Sequence, residues 1–491
     1  MEHYDLCVIG GGPAGYAGAM RAIDFGKKVL LVEKDKVGGA GLYNGALWSK
    51  TMWEYSMRIH QVRLDTGGSD ASMHAMKKVA SEAVFERKFQ MTCHLKLLEE
   101  ETQQKLFNHE KGYGRLLDAH TVEVTKPNGQ TKLYKVDHVL IATGSRPRKL
   151  PHLPIDENIV VTSDGIQNWE HLPESLVIVG AGVIGCEFAT IFSNLGKTKV
   201  CLIDKAPRIL PFEDQDVSET VTENFEKNGV LIHKGSSLNK MEIRNNKVWY
   251  ELKYDDGRTE EHIVEKALIA VGRVPNLENI GLEQAGVKLT DRGFIEEVDT
   301  QTSVPHIYAA GDVCGSMALV NIGEREGRHA VVKMFRGHVA PLTYRNISTI
   351  MFLNPEVAAV GMGEQEAIQK GIAVKVAKVD YSCIARAIAM RRTNGFFKII
   401  VSNDDEMKVL GMRAVGEHAS SAIQAVALLI YMNKGIEELA LMMHPHPSII
   451  EGIQEAMRML LGKSIYKSSV FKDKLKCYVR DQDVCIPLEM L

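Results

Sequence analysis

Apolar and polar positions along this chain fall into short strand-like runs, several closed by a glycine turn and followed by an amphipathic helix. Residues 4–34 read YDLCVIGGGPAGYAGAMRAIDFGKKVLLVEK: an apolar strand, a glycine-rich turn, a helix closed by Gly26, a second apolar strand and the acid Glu33. Residues 174–205 read ESLVIVGAGVIGCEFATIFSNLGKTKVCLIDK and repeat that order, with Gly196 closing the helix and Asp204 as the acid. Gly10, Gly12 and Gly15 recur at constant spacing as Gly180, Gly182 and Gly185, while the acid comes one residue later in the second copy. Strand, turn, helix and strand in this order predict parallel pairing and an α/β fold.

The repeat carries a chemical meaning. The first glycine makes the tight strand-to-helix turn. The second lets backbone approach a pyrophosphate, and the third lets helix and strand pack closely. The helix start then offers free N–H groups and a positive dipole end to the anion. An acid at the end of the second strand suits ribose hydroxyls. Two such units predict two dinucleotides. Further apolar strands end in turns at residues 140–147 (LIATGSRP, with Thr143 and Gly144) and 267–276 (ALIAVGRVPN, with Gly272), each suited to close one Rossmann-like unit. Residues 307–313 (IYAAGDV) bring Gly311 and Asp312. The Asp312 carboxylate can accept from a ribityl or ribose hydroxyl, or simply cap a helix.

Bulk properties narrow the class. At 491 residues the chain is too long for one core. With 45% hydrophobic and 25% charged residues and a net charge of −3, it gives no reason to expect nucleic acid or an anionic membrane as partner. No apolar run approaches a bilayer span, and the N-terminus lacks the pattern of a signal peptide, so a cytoplasmic location is expected. The eight cysteines are scattered without a CxxC or zinc spacing, the pattern of a reducing compartment.

Taken in order, the two fingerprints, ATG, GRVPN, GDV and the C-terminal MHPHPSIIE resemble the pyridine nucleotide–disulfide oxidoreductases, and within them the dihydrolipoamide dehydrogenase pattern. The resemblance runs from residue 4 to about 463. It implies an FAD-binding domain of residues 1–150 plus 275–343, an NAD(P)-binding domain of 151–274, and an α+β dimerisation domain of 344–463 that makes a homodimer. Residues 464–491 form a tail beyond the pattern. It further implies that Lys50 lies near flavin N5 with Glu187 as its ion-pair partner. His446 and Glu451 match the family's acid–base dyad, contributed across the dimer. They serve here either proton transfer or interface structure.

One stretch departs from the pattern. Where the family reads roughly GGTCLNVGCIPSK, residues 38–50 read GGAGLYNGALWSK. Gly41 and Ala46 stand at the two positions of the redox-active cysteine pair, and Trp48 stands where the family has proline. A dithiol relay needs two sulfurs. The expectation is therefore an FAD-dependent NAD(P)H oxidoreductase whose acceptor is not a disulfide: a quinone, a dye, dioxygen or a second nicotinamide, as in the flavin-linked transhydrogenases that resemble this family. The alternatives are a dihydrolipoyl dehydrogenase-like activity and a non-catalytic FAD-binding sensor. Tyr43 and Trp48 either stack on a planar acceptor or plug the gap. Asp204 favours NAD over NADP, because an acid suits free ribose hydroxyls and repels a 2′-phosphate. The tail cysteines, Cys477 and Cys485, belong either to a redox tail or to a docking segment.

Overall fold

A computed structural model describes residues 1–68, 70–101, 106–315, 317–337, 339–482 and 484–488. The chain divides into two compact units. One comprises Met1–Tyr55, Ala71–His171 and Val271–Leu342; the other comprises Ser56–Asp70, Leu172–Ala270 and Thr343–Leu491.

The first unit is built on a parallel sheet. Strand Glu2–Ile9 lies between Val29–Glu33 and Thr131–Ile141, and Phe107–Lys111 and Ile307–Ala309 pair at the outer sides of those two neighbours. Alternate residues serve opposite faces, and both faces are covered, so the strands are apolar throughout. Leu6, Val8, Leu31 and Leu140 pack beneath helix Pro13–Asp24. Cys7, Ile9, Leu30 and Val139 pack with Leu116, Val122 and Val124 of an antiparallel hairpin on the other face.

Helix Pro13–Asp24 is pressed between that sheet and helix Val320–Arg336. A Cβ on Gly327 would fall 2.0 Å from the Ala14 carbonyl oxygen, and one on Gly18 would fall 2.5 Å from the Leu140 side chain. Small residues thus set how closely the two helices approach.

The second unit repeats the parallel arrangement with strands Leu231–His233, Lys199–Ile203, Ser175–Val179 and Lys266–Ile269 in that order. Helix Val183–Leu195 follows the glycine turn. Beyond it lies a seven-stranded antiparallel sheet, in the order Ser348–Met351, Val357–Gly361, Val409–Val415, Phe396–Ser402, Val374–Asp380, Leu475–Asp481 and Val484–Pro487. Helix Glu451–Leu460 packs on it through Ile453, Ala456, Met457 and Leu460.

Within this unit, charge ties residues 213–216 to the antiparallel sheet. Lys398 is 1% exposed and its Nζ lies 2.8 Å from Asp214, 2.7 Å from Asp216 and 3.3 Å from Glu364. Arg413 donates to Glu213 at 2.7 Å. A buried ammonium survives desolvation only with such partners.

The described part of the tail is ordered as two strands on the antiparallel sheet. Residues 475–481 alternate well enough to add a strand against Val374–Asp380, with Cys477 opposite Ala377. Cys477 is buried, and that burial pushes its thiol up to about 12. Cys485 is exposed on the next strand, opposite Arg480.

Candidate functional site

The two glycine turns have nearly the same geometry. Gly10 has φ = 105° and Gly180 has φ = 106°, backbone that glycine adopts without strain. A Cβ on Gly15 would fall 1.9 Å from the Gly10 carbonyl oxygen, and one on Gly185 the same distance from that of Gly180. Backbone conformation at Gly10 and Gly180, and packing at Gly15 and Gly185, therefore call for glycine. Gly12 and Gly182 differ. Their φ angles of −70° and −79° suit any residue, and a Cβ there would meet nothing within 4 Å. Nothing in the fold itself calls for glycine at these two positions, and their open side leaves room for a group such as a pyrophosphate to approach. Each helix begins beside an uncapped glycine, and Pro13 occupies the first helical position of the first helix, where a missing N–H costs nothing.

The two acids also behave alike. Glu33 Oε2 accepts the Gly11 N–H at 2.7 Å and its Oε1 accepts that of Asp35 at 2.7 Å. Asp204 Oδ2 accepts the Ala181 N–H at 2.6 Å and its Oδ1 accepts that of Ala206 at 2.8 Å. Each carboxylate is thus fixed against its own glycine turn, at the strand end where a ribose would lie.

Around the first turn, Gly39 comes close enough that a Cβ would fall 3.1 Å from Gly12 Cα. The Thr143 hydroxyl donates to the Asn276 carbonyl at 2.7 Å, and the Asn276 amide N–H donates to the Gly144 carbonyl at 2.9 Å. Gly272 has φ = 102° and its carbonyl accepts from Arg148 at 2.9 Å. Strands Ser145–Pro147 and Arg273–Pro275 pair antiparallel, and Arg273 donates to the Ser145 hydroxyl at 2.7 Å. Gly311, rather than Asp312, caps the short 3-10 turn Asp312–Cys314; the Asp312 carboxylate takes the Ser145 hydroxyl instead. Sequence reasoning missed Glu326, a buried acid that accepts the Gly311 N–H at 2.7 Å. A single glutamate on an amphipathic helix gives no signal of this.

Lys50 lies in the first unit on helix Ala46–Thr66, its Nζ 3.4 Å from the Ser49 hydroxyl. Glu187 lies in the second unit, buried on helix Val183–Leu195, and accepts the Phe352 N–H at 3.2 Å. His446 and Glu451 are brought together. The imidazole Nδ1 lies 2.8 Å from Glu451 Oε1, and the other carboxylate oxygen accepts the Ser448 N–H at 2.8 Å. Partial burial pushes the Glu451 carboxyl up, but the Ser448 N–H and His446 outweigh it and hold the group below the usual carboxylate value. A proton held at Nδ1 leaves Nε2 as the ring atom that can exchange one.

Chain residues 4–327 match the family model described as pyridine nucleotide-disulphide oxidoreductase, and residues 347–457 match the dimerisation domain of the same group. The chain belongs to this family. A dihydrolipoyl dehydrogenase of Bacillus subtilis (strain 168) is 32% identical over 480 residues, covering 94% of this chain and 99% of the relative. One of Geobacillus stearothermophilus is 34% identical over 471 residues, covering 94% and 97%. The crystal structure of LpdA from Mycobacterium tuberculosis has a TM-score of 0.85 at 27% identity, covering 94% of this chain and all of that one.

The mixed α/β architecture with a C-terminal dimerisation domain is that of the family. The cofactors of this family of oxidoreductases are FAD and NAD(H), and the two glycine cradles fit two dinucleotides. Among the described residues no helix is long and apolar enough to cross a membrane.

Proposed function

We propose that this flavoprotein passes electrons from NAD(P)H to an acceptor other than a disulfide. One observation carries the reading. Gly41 and Ala46 stand where the family pattern has its cysteine pair, and a Cβ on Gly41 would fall 2.6 Å from Pro13 Cγ. Position 41 thus sits too close to the first helix to take a side chain without a shift. All eight cysteines are free, and burial raises the thiols of Cys7, Cys186, Cys201, Cys314 and Cys477.

In this reading Gly10, Gly12, Gly15 and Glu33 hold the FAD, with Thr143, Gly144, Gly311 and Asp312 completing its site. Gly180, Gly182, Gly185 and Asp204 serve the nicotinamide dinucleotide, NAD in preference to NADP. Bound FAD supplies the two-electron link between nicotinamide and acceptor. Lys50 places a positive charge that favours the electron-rich state of the site. In a homodimer, His446 holds a proton at Nε2 for the acceptor, and Glu451 orients its ring.

A second reading is favoured by the relatives, which are named dihydrolipoyl dehydrogenase at 32–34% identity. Anaerobic titration of the yellow protein with NADH separates the two. Bleaching after about one equivalent per FAD, without the long-wavelength thiolate–flavin band, supports direct transfer. A charge-transfer band with a second equivalent, together with dihydrolipoamide-dependent reduction of NAD, supports the dehydrogenase and overturns the reading proposed.

A further inference from the structure

Within the first unit, a cavity of about 440 Å³ is lined by Tyr43, Asn44 and Trp48. All three depart from the family pattern quoted above, which has Asn, Val and Pro at these places. Three changes in six residues that face one cavity point to a changed ligand. Trp48 lines it at 8% exposed, whereas Phe85, which lines the same cavity from helix Met73–Glu101, is 68% exposed. A phenyl ring so placed adds little to the core, but it offers a free face to a flat ligand.

Two cations stand at the same cavity, Lys36 and Lys88. Lys36 Nζ lies 4.9 Å from the centre of the Tyr43 ring, so ring and charge are already matched. Among the described lining residues Asp35 is the one acid, which leaves them one positive charge in excess. Asn44 and Gln167 add hydrogen-bonding groups. A volume in this range suits a small bicyclic or tricyclic molecule. Trp48 stands two residues before Lys50, so the cavity belongs to the segment where the family keeps its electron-transfer cysteines.

We propose that this cavity binds a planar aromatic anion and that such a molecule, of the quinone class, is the electron acceptor. The second half rests on the non-disulfide reading above. The reaction balances as NADH plus a proton plus quinone giving NAD+ and hydroquinone: a hydride, one proton with two electrons, leaves the nicotinamide, and solvent supplies the second proton.

Calorimetric titration of the holoprotein with naphthalene-2-sulfonate tests binding without any redox step. One-to-one binding is expected, weakened about tenfold in Lys36→Gln/Lys88→Gln, while neutral 2-methylnaphthalene is unaffected by that pair of substitutions. Phe85→Ala weakens both ligands, and its exposure makes misfolding an unsuitable explanation, which thermal unfolding checks. Equal sulfonate affinity in all variants overturns the site. NADH-driven reduction of anthraquinone-2,6-disulfonate is read separately. Variant-sensitive binding without reduction overturns the acceptor role alone. Reduction with an unchanged KM in both variants overturns the cavity as acceptor site while leaving non-disulfide transfer standing.

Discussion

Gly10 and Gly180 agree within a degree in φ, and Gly15 and Gly185 lie equally close to the carbonyls they cover, yet what stands behind each turn is different. In the first unit, helix Pro13–Asp24 is met by Gly311, Gly323 and Gly327, which approach Ala14 closely. In the second, helix Val183–Leu195 itself carries the bulky buried side chains Phe188, Ile191 and Phe192. The turn geometry is what a dinucleotide requires, so it is held fixed. The packing behind it is free to be solved by small residues in one unit and by large ones in the other. The two units differ in charge as well: the second buries an ammonium at Lys398 among three carboxylates.

The sharpest separation of the two turns comes from adding one methyl to each. Gly15→Ala and Gly185→Ala both force a carbon 1.9 Å from a carbonyl oxygen, so something must shift. Overpacking of this kind costs about 1–3 kcal/mol. If each turn serves its own dinucleotide, the losses diverge. Gly15→Ala is expected to purify colourless. Gly185→Ala is expected to stay yellow but to resist bleaching by NADH. Normal bleaching in Gly185→Ala would remove the second fingerprint from the nicotinamide site.

Next in size is Lys398→Met, which strands Asp214, Asp216 and Glu364 in a buried site and is expected to cost about 3–5 kcal/mol in urea unfolding. The same network sets a pH dependence. Burial pushes the Asp214 and Asp216 carboxyls up, but Lys398, helped by Arg413 and Lys378 respectively, more than offsets this and holds both below the usual value. Their stabilisation is therefore complete above the unfolded value of about 4 and is lost as pH falls through the lower folded values. Lys398→Met flattens that acid limb. A limb as steep as wild type would show the network to be electrostatically idle.

Asp204→Ala is a smaller change and bears on discrimination. Its carboxylate both latches the Ala181 N–H and stands at the ribose end of the strand. The preference for NADH over NADPH is expected to fall about tenfold by the ratio of kcat/KM. An unchanged ratio would leave Asp204 with the latch alone.

What could be read from the chain, and what could not, follows the same division. The fingerprints and strand ends were legible because glycine spacing and apolar runs are local. Glu33 and Asp204 were legible as strand-end acids, but not as latches on their own turns, since that bond closes over more than twenty residues. Glu326 was not legible, because its partner Gly311 lies in a different element. Lys398 did leave a trace, as the one charge within the buried run of strand Phe396–Ser402, though its carboxylate partners come from far along the chain. The tail strand was concealed differently. Leu475 and Cys477 alternate with Lys476 and Tyr478, but the sequence does not show which strand edge is open to receive them.

That tail supplies the gentlest test. The Tyr478 hydroxyl donates to Glu364 Oε2 at 3.0 Å, while Arg480 donates to its other oxygen at 3.1 Å. Tyr478→Phe removes one bond to a carboxylate that keeps Arg480 and Lys398, so a cost of about 1 kcal/mol is expected. Flavin reduction by NADH should be unchanged, because the strand braces the charge network and carries no electrons. A variant with wild-type stability and slowed turnover would reverse that assignment and return Cys477 and Cys485 to the electron path. The outcome expected, a small loss of stability at full turnover, would place the tail with the buried charges of the second unit and not with either dinucleotide.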